Sequence, residues 1–314
     1  MNAPRVLVTG AAGYLGRQLA NRLATAGYDV RGVDVVPRDR VAGPVDFDLH
    51  QLDVRDPRLA DLVAEHQSTH VVHLASILQA SRDRQRDFDI DVNGTRNVLD
   101  ACLAAGVGHL TVTSSGAAYG YHPDNPSWID EGDPLRGNPE FAYSDHKRQM
   151  EELLARYRQE HPELRQLVLR PGTVLGATTA NQITGLLTGR RVLALRGSAS
   201  PFVLVWDEDV LAILQQGVER STVGCFNVAG DGALTMAEIA DRLDKPLLRL
   251  PVGVVRAGLR VQRWLGKPVG PEQVAFLQYR PVLSNRRLKE GFGYTPRKTT
   301  AEVLDHFMAA QEGR

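Results

Sequence analysis

Tyr143 and Lys147 stand four residues apart in a stretch, 140–161, whose pattern predicts a single helix, so their side chains share one face. A phenol has an ordinary pKa near ~10 and is a poor base at neutral pH. A neighbouring ammonium favours the phenolate and brings that value down. Lys147 is spaced to do this, and Tyr143 would then exchange a proton with a substrate hydroxyl. Ser115, at the end of the preceding strand, is expected to hydrogen-bond the same oxygen. The Tyr-x-x-x-Lys spacing recurs at Tyr294 and Lys298, but Pro296 lies inside that pair and disfavours a helix. Lys147 is also the first lysine of the chain, every earlier cation being arginine. A compact, flexible ammonium suits a reach between ribose hydroxyls.

The element before this pair gives the hydride a carrier. Val6, Leu7 and Val8 form a short apolar run, as in a strand buried on both faces. Gly10, Gly13 and Gly16 follow, and then Leu15, Leu19 and Leu23 recur at helical spacing. Gly27 ends that helix, and Val30–Val33 form a second strand that closes on Asp34. Such a turn brings phosphate against backbone N–H groups at a helix N-terminus. An acid in the place of Asp34 takes the hydroxyls of an adenosine ribose and repels a 2′-phosphate, which favours NAD over NADP. Three glycines alone can make a plain tight loop, and the spacing is G-x-x-G-x-x-G. The strand before, the helix after and the acid beyond favour the dinucleotide reading.

Further along, Phe47, Leu49 and Leu52 predict a third strand, ended by Asp53-Val54-Arg55-Asp56. Asp53 reads either as an acceptor for the adenine amino group or, like Asp56, as a helix cap before Pro57. His70–Ser76 and Leu110–Thr113 predict the fourth and fifth strands, separated by a helix over 86–105 that contains Asn93. Residues 122–139 read as a long loop. Leu167–Leu169 form a sixth strand before Arg170-Pro171-Gly172. The alternation predicts a mostly parallel sheet with helices on both faces. Beyond Gly176 short helices are expected at 180–188, 207–219, 235–243, 252–264, 271–278 and 299–311, with strands at 192–195, 202–205 and 224–228.

Composition bounds the remaining choices. The chain has 314 residues, 37 basic and 37 acidic, so no polyanionic partner such as nucleic acid is implied. Cys102 and Cys225 are its two cysteines and suggest neither a disulfide framework nor a metal site. The first strand begins within five residues, so no secretory leader is read, and no apolar run is long enough to span a membrane. A soluble, cytoplasmic protein is expected. The basic stretch 252–264, with Arg256, Arg260 and Arg263, fits either a membrane surface or packing of one face on the smaller domain. Packing is the expectation.

Together these residues resemble the extended short-chain dehydrogenase/reductase family, in its NAD-dependent epimerase/dehydratase group. The resemblance is carried by Thr9–Gly16, Asp53-Val54, His73–Ala75, Asn93–Asn97, Ser114–Gly120, Tyr143–Lys147 and Arg170-Pro171. Asn227–Gly230 and Gly293–Pro296 resemble its later landmarks. It implies an α/β, Rossmann-type doubly wound parallel sheet with a smaller, mostly helical C-terminal substrate-capping domain. Residues 1–176 would be the NAD-binding domain, with 204–230 returning to it, and 177–203 and 231–314 the cap. It implies Ser115, Tyr143 and Lys147 as the catalytic set, with Asn93 supporting a proton relay through its backbone. The implied cofactor contacts are Gly10, Gly13, Tyr14, Leu15, Gly16, Asp34, Asp53, Val54, Leu74, Ala75, Ser76, Asn93, Thr113, Tyr143, Lys147 and Pro171. No metal is implied. A homodimer through the helices at 86–105 and 140–161 is expected.

The departures from that group narrow the chemistry. Dehydratases carry Thr-Asp-Glu where this chain has Ser115-Gly116-Ala117, so elimination of water is not expected. Sugar-nucleotide epimerases carry an arginine for the pyrophosphate where this chain has Phe202. Ile77 and Leu78 add apolar side chains near the cofactor mouth. The leading expectation is NAD-dependent hydride transfer to or from a secondary alcohol or ketone. A sugar-nucleotide 4-epimerase on retained NAD, and a non-catalytic NAD-binding sensor, stand as alternatives.

Overall fold

The computed structural model describes residues 4–78, 81, 83–180, 182–266 and 269–312; Asn181, inside the helix expected at 180–188, lies outside them. The chain runs β1 (Arg5–Thr9), α1 (Tyr14–Thr25), β2 (Asp29–Asp34), β3 (Asp48–Gln51), α2 (Leu59–Glu65), β4 (His70–His73) and α3 (Arg84–Phe88). It continues through α4 (Gly94–Ala104), β5 (His109–Thr113), α5 (Ala142–Glu160), β6 (Arg165–Pro171), β7 (Thr173–Leu175) and α6 (Gln182–Thr188). Then come β8 (Val192–Leu195), β9 (Leu204–Trp206), α7 (Asp207–Arg220), β10 (Gly224–Val228), α8 (Met236–Arg242) and β11 (Leu247–Leu250). The last elements are α9 (Val252–Trp264), α10 (Gln273–Gln278) and α11 (Thr300–Glu312).

Seven strands form one sheet in the order β10-β6-β5-β4-β1-β2-β3, with every neighbouring pair parallel. This is the Rossmann-type doubly wound α/β fold expected from the sequence. The order reverses between β1 and β4, which opens a crevice at their C-terminal ends. Alternation along β1 shows why both faces need helices. Val6 and Val8 pack with Leu19 and Leu23 of α1 and Ile213 of α7. Leu7 points the other way, among Leu59 of α2, Val98 of α4 and Leu153 of α5. All three strand residues are fully buried.

The helix expected over 86–105 is present, with a π-helical turn inside it. Residues Asp89–Asn93 form a π-helical turn between α3 and α4. Beyond β6 a second, smaller core joins Leu187, Val192, Phe202, Ile239 and Phe307. It contains two parallel strand pairs, β8 with β11 and β7 with β9. Strand β11 is absent from the sequence reading, because four residues with two exposed side chains leave little pattern. The chain returns to the main sheet at β10, beside β6.

The helix at 252–264 packs one face on the smaller domain, where Val252, Val255 and Leu259 meet Leu195, Leu250, Val274 and Leu277. Val255 is its single buried residue.

Candidate active site

The glycine turn is built by close approach. Gly10 has a φ of +70°, and a Cβ there would lie 2.7 Å from the Ala75 nitrogen. A Cβ on Gly16 would stand 2.1 Å from the Gly10 carbonyl oxygen. Helix α1 starts after Gly13 with no side-chain cap, so its first N–H groups are left for an anion. The Asp34 carboxylate accepts from the Ala12 and Val36 nitrogens, each at 3.0 Å, which fixes it beside this turn. Tyr14, at the start of α1, donates its hydroxyl to the Asp207 carboxylate at 2.5 Å.

A cavity of about 1530 Å³ opens from this turn. Gly10, Gly13, Tyr14, Leu15, Gly16, Asp34, Asp53, Val54, Leu74, Ala75, Ser76, Thr113, Ser115, Tyr143, Lys147 and Pro171 all line it. It exceeds the ~300–1,000 Å³ of ordinary small-molecule sites, so a cofactor leaves room for a second molecule. The Asp53 carboxylate is engaged by Arg55 at 2.7 and 2.9 Å. Asp56 accepts from the Arg58 nitrogen at 2.9 Å, just ahead of α2.

Lys147 is buried and donates to the Thr113 carbonyl at 3.3 Å. Its Nζ lies 5.9 Å from the centroid of the Tyr143 ring. Burial lowers the Lys147 pKa, while the negative charges of Asp91 and Glu151 oppose that shift. Burial pushes the Tyr143 phenol up to about 12; a hydrogen bond with Ser115 pulls it down and the Asp91 charge pushes it up. In the protein alone the phenol is thus held protonated, and its low-pKa form requires added positive charge in the cleft.

The Asn93 side chain does not join this group. It is exposed, lies outside the cavity lining and donates to Asp89 at 2.9 Å. The buried residue of that turn is Asp91. It accepts from Ser76 Oγ at 2.8 Å and from the Ile77 nitrogen at 2.9 Å, and its other oxygen lies 3.7 Å from His146 Nδ1. Burial opposes its ionisation, but His146, the Lys147 charge and these two donors together lower its pKa. A charged residue on the buried stripe that includes Thr95, Val98 and Cys102 was the sequence signal available for it.

Beneath the cleft runs a polar spine. His73 bonds Thr9 Oγ1 at 2.7 Å and Thr95 Oγ1 at 3.0 Å. Burial first, and the Lys147 charge second, push its pKa down to about 4, so it is neutral at neutral pH. Ser114 donates to Glu151 at 2.6 Å, and Glu151 pairs with Arg170 at 2.7 Å.

The far end of the cavity is largely apolar, with Ile183, Leu186, Leu193, Leu259, Phe276 and Leu277 in its wall. One cation interrupts it. Arg280 sits 3.6 Å from the Phe202 ring centroid and 4.7 Å from that of Phe276. Its Nη1 donates to the Ser200 carbonyl and hydroxyl at 3.1 Å, while its buried Nε has no hydrogen-bond partner among the described residues. Burial lowers its pKa to about 9, so it stays charged at neutral pH.

The chain matches the NAD dependent epimerase/dehydratase family over residues 6–208. It belongs to that family, and NAD is the cofactor. An uncharacterized protein of Mycobacterium tuberculosis is 25% identical over 317 residues, spanning 96% of this chain and 82% of its own. The UDP-glucose 4-epimerase of Mycolicibacterium smegmatis is 34% identical over 164 residues, 49% of this chain and 51% of the epimerase. Among solved structures, the UDP-glucose 4-epimerase of Thermotoga maritima with UDP-glucose has a TM-score of 0.78 at 20% identity, covering 98% of this chain and 99% of that one. The Thermus thermophilus UDP-glucose 4-epimerase in complex with NAD has a TM-score of 0.73 at 25% identity, with the same coverage.

Proposed function

We propose that this protein is an oxidoreductase that moves a hydride between NAD and a secondary alcohol or ketone carried on an apolar body. The observation that carries the reading is the meeting of Ser115, Tyr143 and Lys147 in the cavity that begins at the glycine turn. When bound, NAD accepts or returns the hydride at the reacting carbon. In the oxidative direction Tyr143 takes the hydroxyl proton, and in reduction it gives that proton back. Ser115 holds the same oxygen. Lys147 anchors the cofactor ribose, and the cationic nicotinamide would add the positive charge that the buried phenol needs. Residues 177–203 and 231–314 act as the cap that selects the substrate, and their aliphatic wall favours an apolar one. The test is NADH formation from NAD over a panel of secondary alcohols of rising chain length, with Tyr143→Phe as the control. Turnover that is unaffected by chain length, or by Tyr143→Phe, overturns the reading.

A second reading, a sugar-nucleotide 4-epimerase on retained NAD, is favoured by Arg280. Residue 202 is not an arginine, yet Arg280, a buried cation without a carboxylate partner among the described residues, is suited to a diphosphate. Interconversion of UDP-glucose and UDP-galactose, lost in Arg280→Met, would select it over the first. A homodimer in the cytoplasm is part of either reading. Its expected face on α4 and α5 carries no exposed large apolar side chain among the described residues, so the pairing would be polar. Light scattering at micromolar concentration reads the mass.

A further inference from the structure

Helix α9 has two working faces. Val255, Gly258, Leu259 and Gln262 line the cavity wall. The adjoining arc carries Val254, Val261, Trp264 and Leu265, spaced so that they lie side by side on a helix with ~3.6 residues per turn. These four are 54%, 55%, 84% and 65% exposed. They are four of the nine exposed large apolar side chains among the described residues. Arg256, Arg260 and Arg263, at spacings of four and three, border this arc on the side away from the cavity wall.

The charge around the helix is segregated. From Lys245 to Pro271 the sequence has six cations and no acid, in a chain whose net charge is zero. Arg263 is paired with Glu272. Arg256 and Arg260 have no carboxylate partner among the described residues.

We infer that α9 docks on an anionic phospholipid surface, with Trp264, Leu265, Val261 and Val254 in the headgroup region and Arg256 and Arg260 on lipid phosphates. An apolar arc bordered by basic residues and ending in tryptophan is the arrangement that seats a helix in the plane of the interface. A second copy is a poor occupant. A two-fold pairing on this face would oppose Arg256 and Arg260 to their own mates without a compensating acid. Val254 belongs both to the exposed arc and to the cavity wall. Docking therefore sets one side of the cavity at the lipid boundary.

The test is co-sedimentation of the full chain with vesicles of phosphatidylcholine alone, or of phosphatidylcholine and phosphatidylglycerol in equal parts. The wild type is expected to bind the second and not the first, with binding that falls as salt is raised. Arg256→Gln and Arg260→Gln should each weaken it about fivefold. Trp264→Ser with Leu265→Ser should weaken it by more than about tenfold. All four positions are exposed, so thermal melting and NAD titration should match the wild type. Tryptophan emission should shift to the blue with anionic vesicles in the wild type and stay put in Trp264→Phe. Equal binding to both vesicle types, or binding to neither, overturns the inference. So does a dimer that Trp264→Ser dissociates while vesicle binding is absent. None of these readouts depends on turnover, so they stand or fall apart from the proposed reaction.

Discussion

Asp91 accepts the Ser76 hydroxyl at 2.8 Å, and so joins the buried π-helical turn to the cleft end of β4. The same carboxylate faces His146 and Lys147 on α5. Asp91→Ala removes the acceptor for Ser76 and Ile77, and stability should fall by about 1.5–3 kcal/mol in urea unfolding. The folded pKa of Asp91 is depressed, so its stabilisation is present above the unfolded value and is lost as pH falls through the folded one. The stability gap between wild type and Asp91→Asn should therefore narrow below about pH 4. Asp91→Asn also strips a negative charge from Lys147 and should move the alkaline limit of turnover to lower pH.

Tyr143 sits at about 12 before any cofactor arrives. Addition of NAD, whose nicotinamide ring is cationic, should bring the phenol down, and an ultraviolet titration of wild type against Tyr143→Phe reads the shift. Alcohol oxidation should rise with pH as Tyr143 ionises, while ketone reduction should weaken over the same range. Tyr143→Phe should keep NAD affinity and lose about two to four orders of magnitude in turnover. Lys147→Met should harm both.

Gly16→Ala puts a methyl group into the Gly10 carbonyl, which is backbone and cannot swing away. The cost should reach about 1–3 kcal/mol or more, seen as a lower melting temperature. NAD binding should fail even in the fraction that remains folded, because the turn must open to admit the methyl group.

Asp34 should make NAD bind more tightly than NADP, measured by titration calorimetry. Asp34→Ala should narrow that preference. It should also cost about 1–3 kcal/mol of stability, since the Ala12 and Val36 N–H groups lose their acceptor.

The sheet was legible because its central strands β1, β4, β5 and β6 are buried on both faces and each glycine of the turn marks a close backbone approach. The pair Tyr143 and Lys147 was legible because a helix fixes what four residues apart means. Asp91 was missed because the chain passes through a π-helical turn at 89–93, in which the Asn93 side chain is exposed and Asp91 is buried, a facing that α-helical periodicity does not give. The setting of Arg280 was not legible because it is made by Phe202 and Ser200, about 80 residues away in sequence. The packing face of α9 was legible, but the exposed arc beside it was not, since periodicity shows that a helix has an apolar side and says nothing about how much of it is met.

Tyr14 lies at the start of α1 and its partner Asp207 at the start of α7. During synthesis from the N-terminus, six strands of the sheet and the glycine turn are complete well before Asp207 leaves the ribosome. A nascent chain of that length has the phosphate cradle but lacks the anchor that pins its first helix. Secure capture of the dinucleotide is then a late step in the birth of the molecule, and it coincides with the arrival of the helix that leads into the last strand of the sheet.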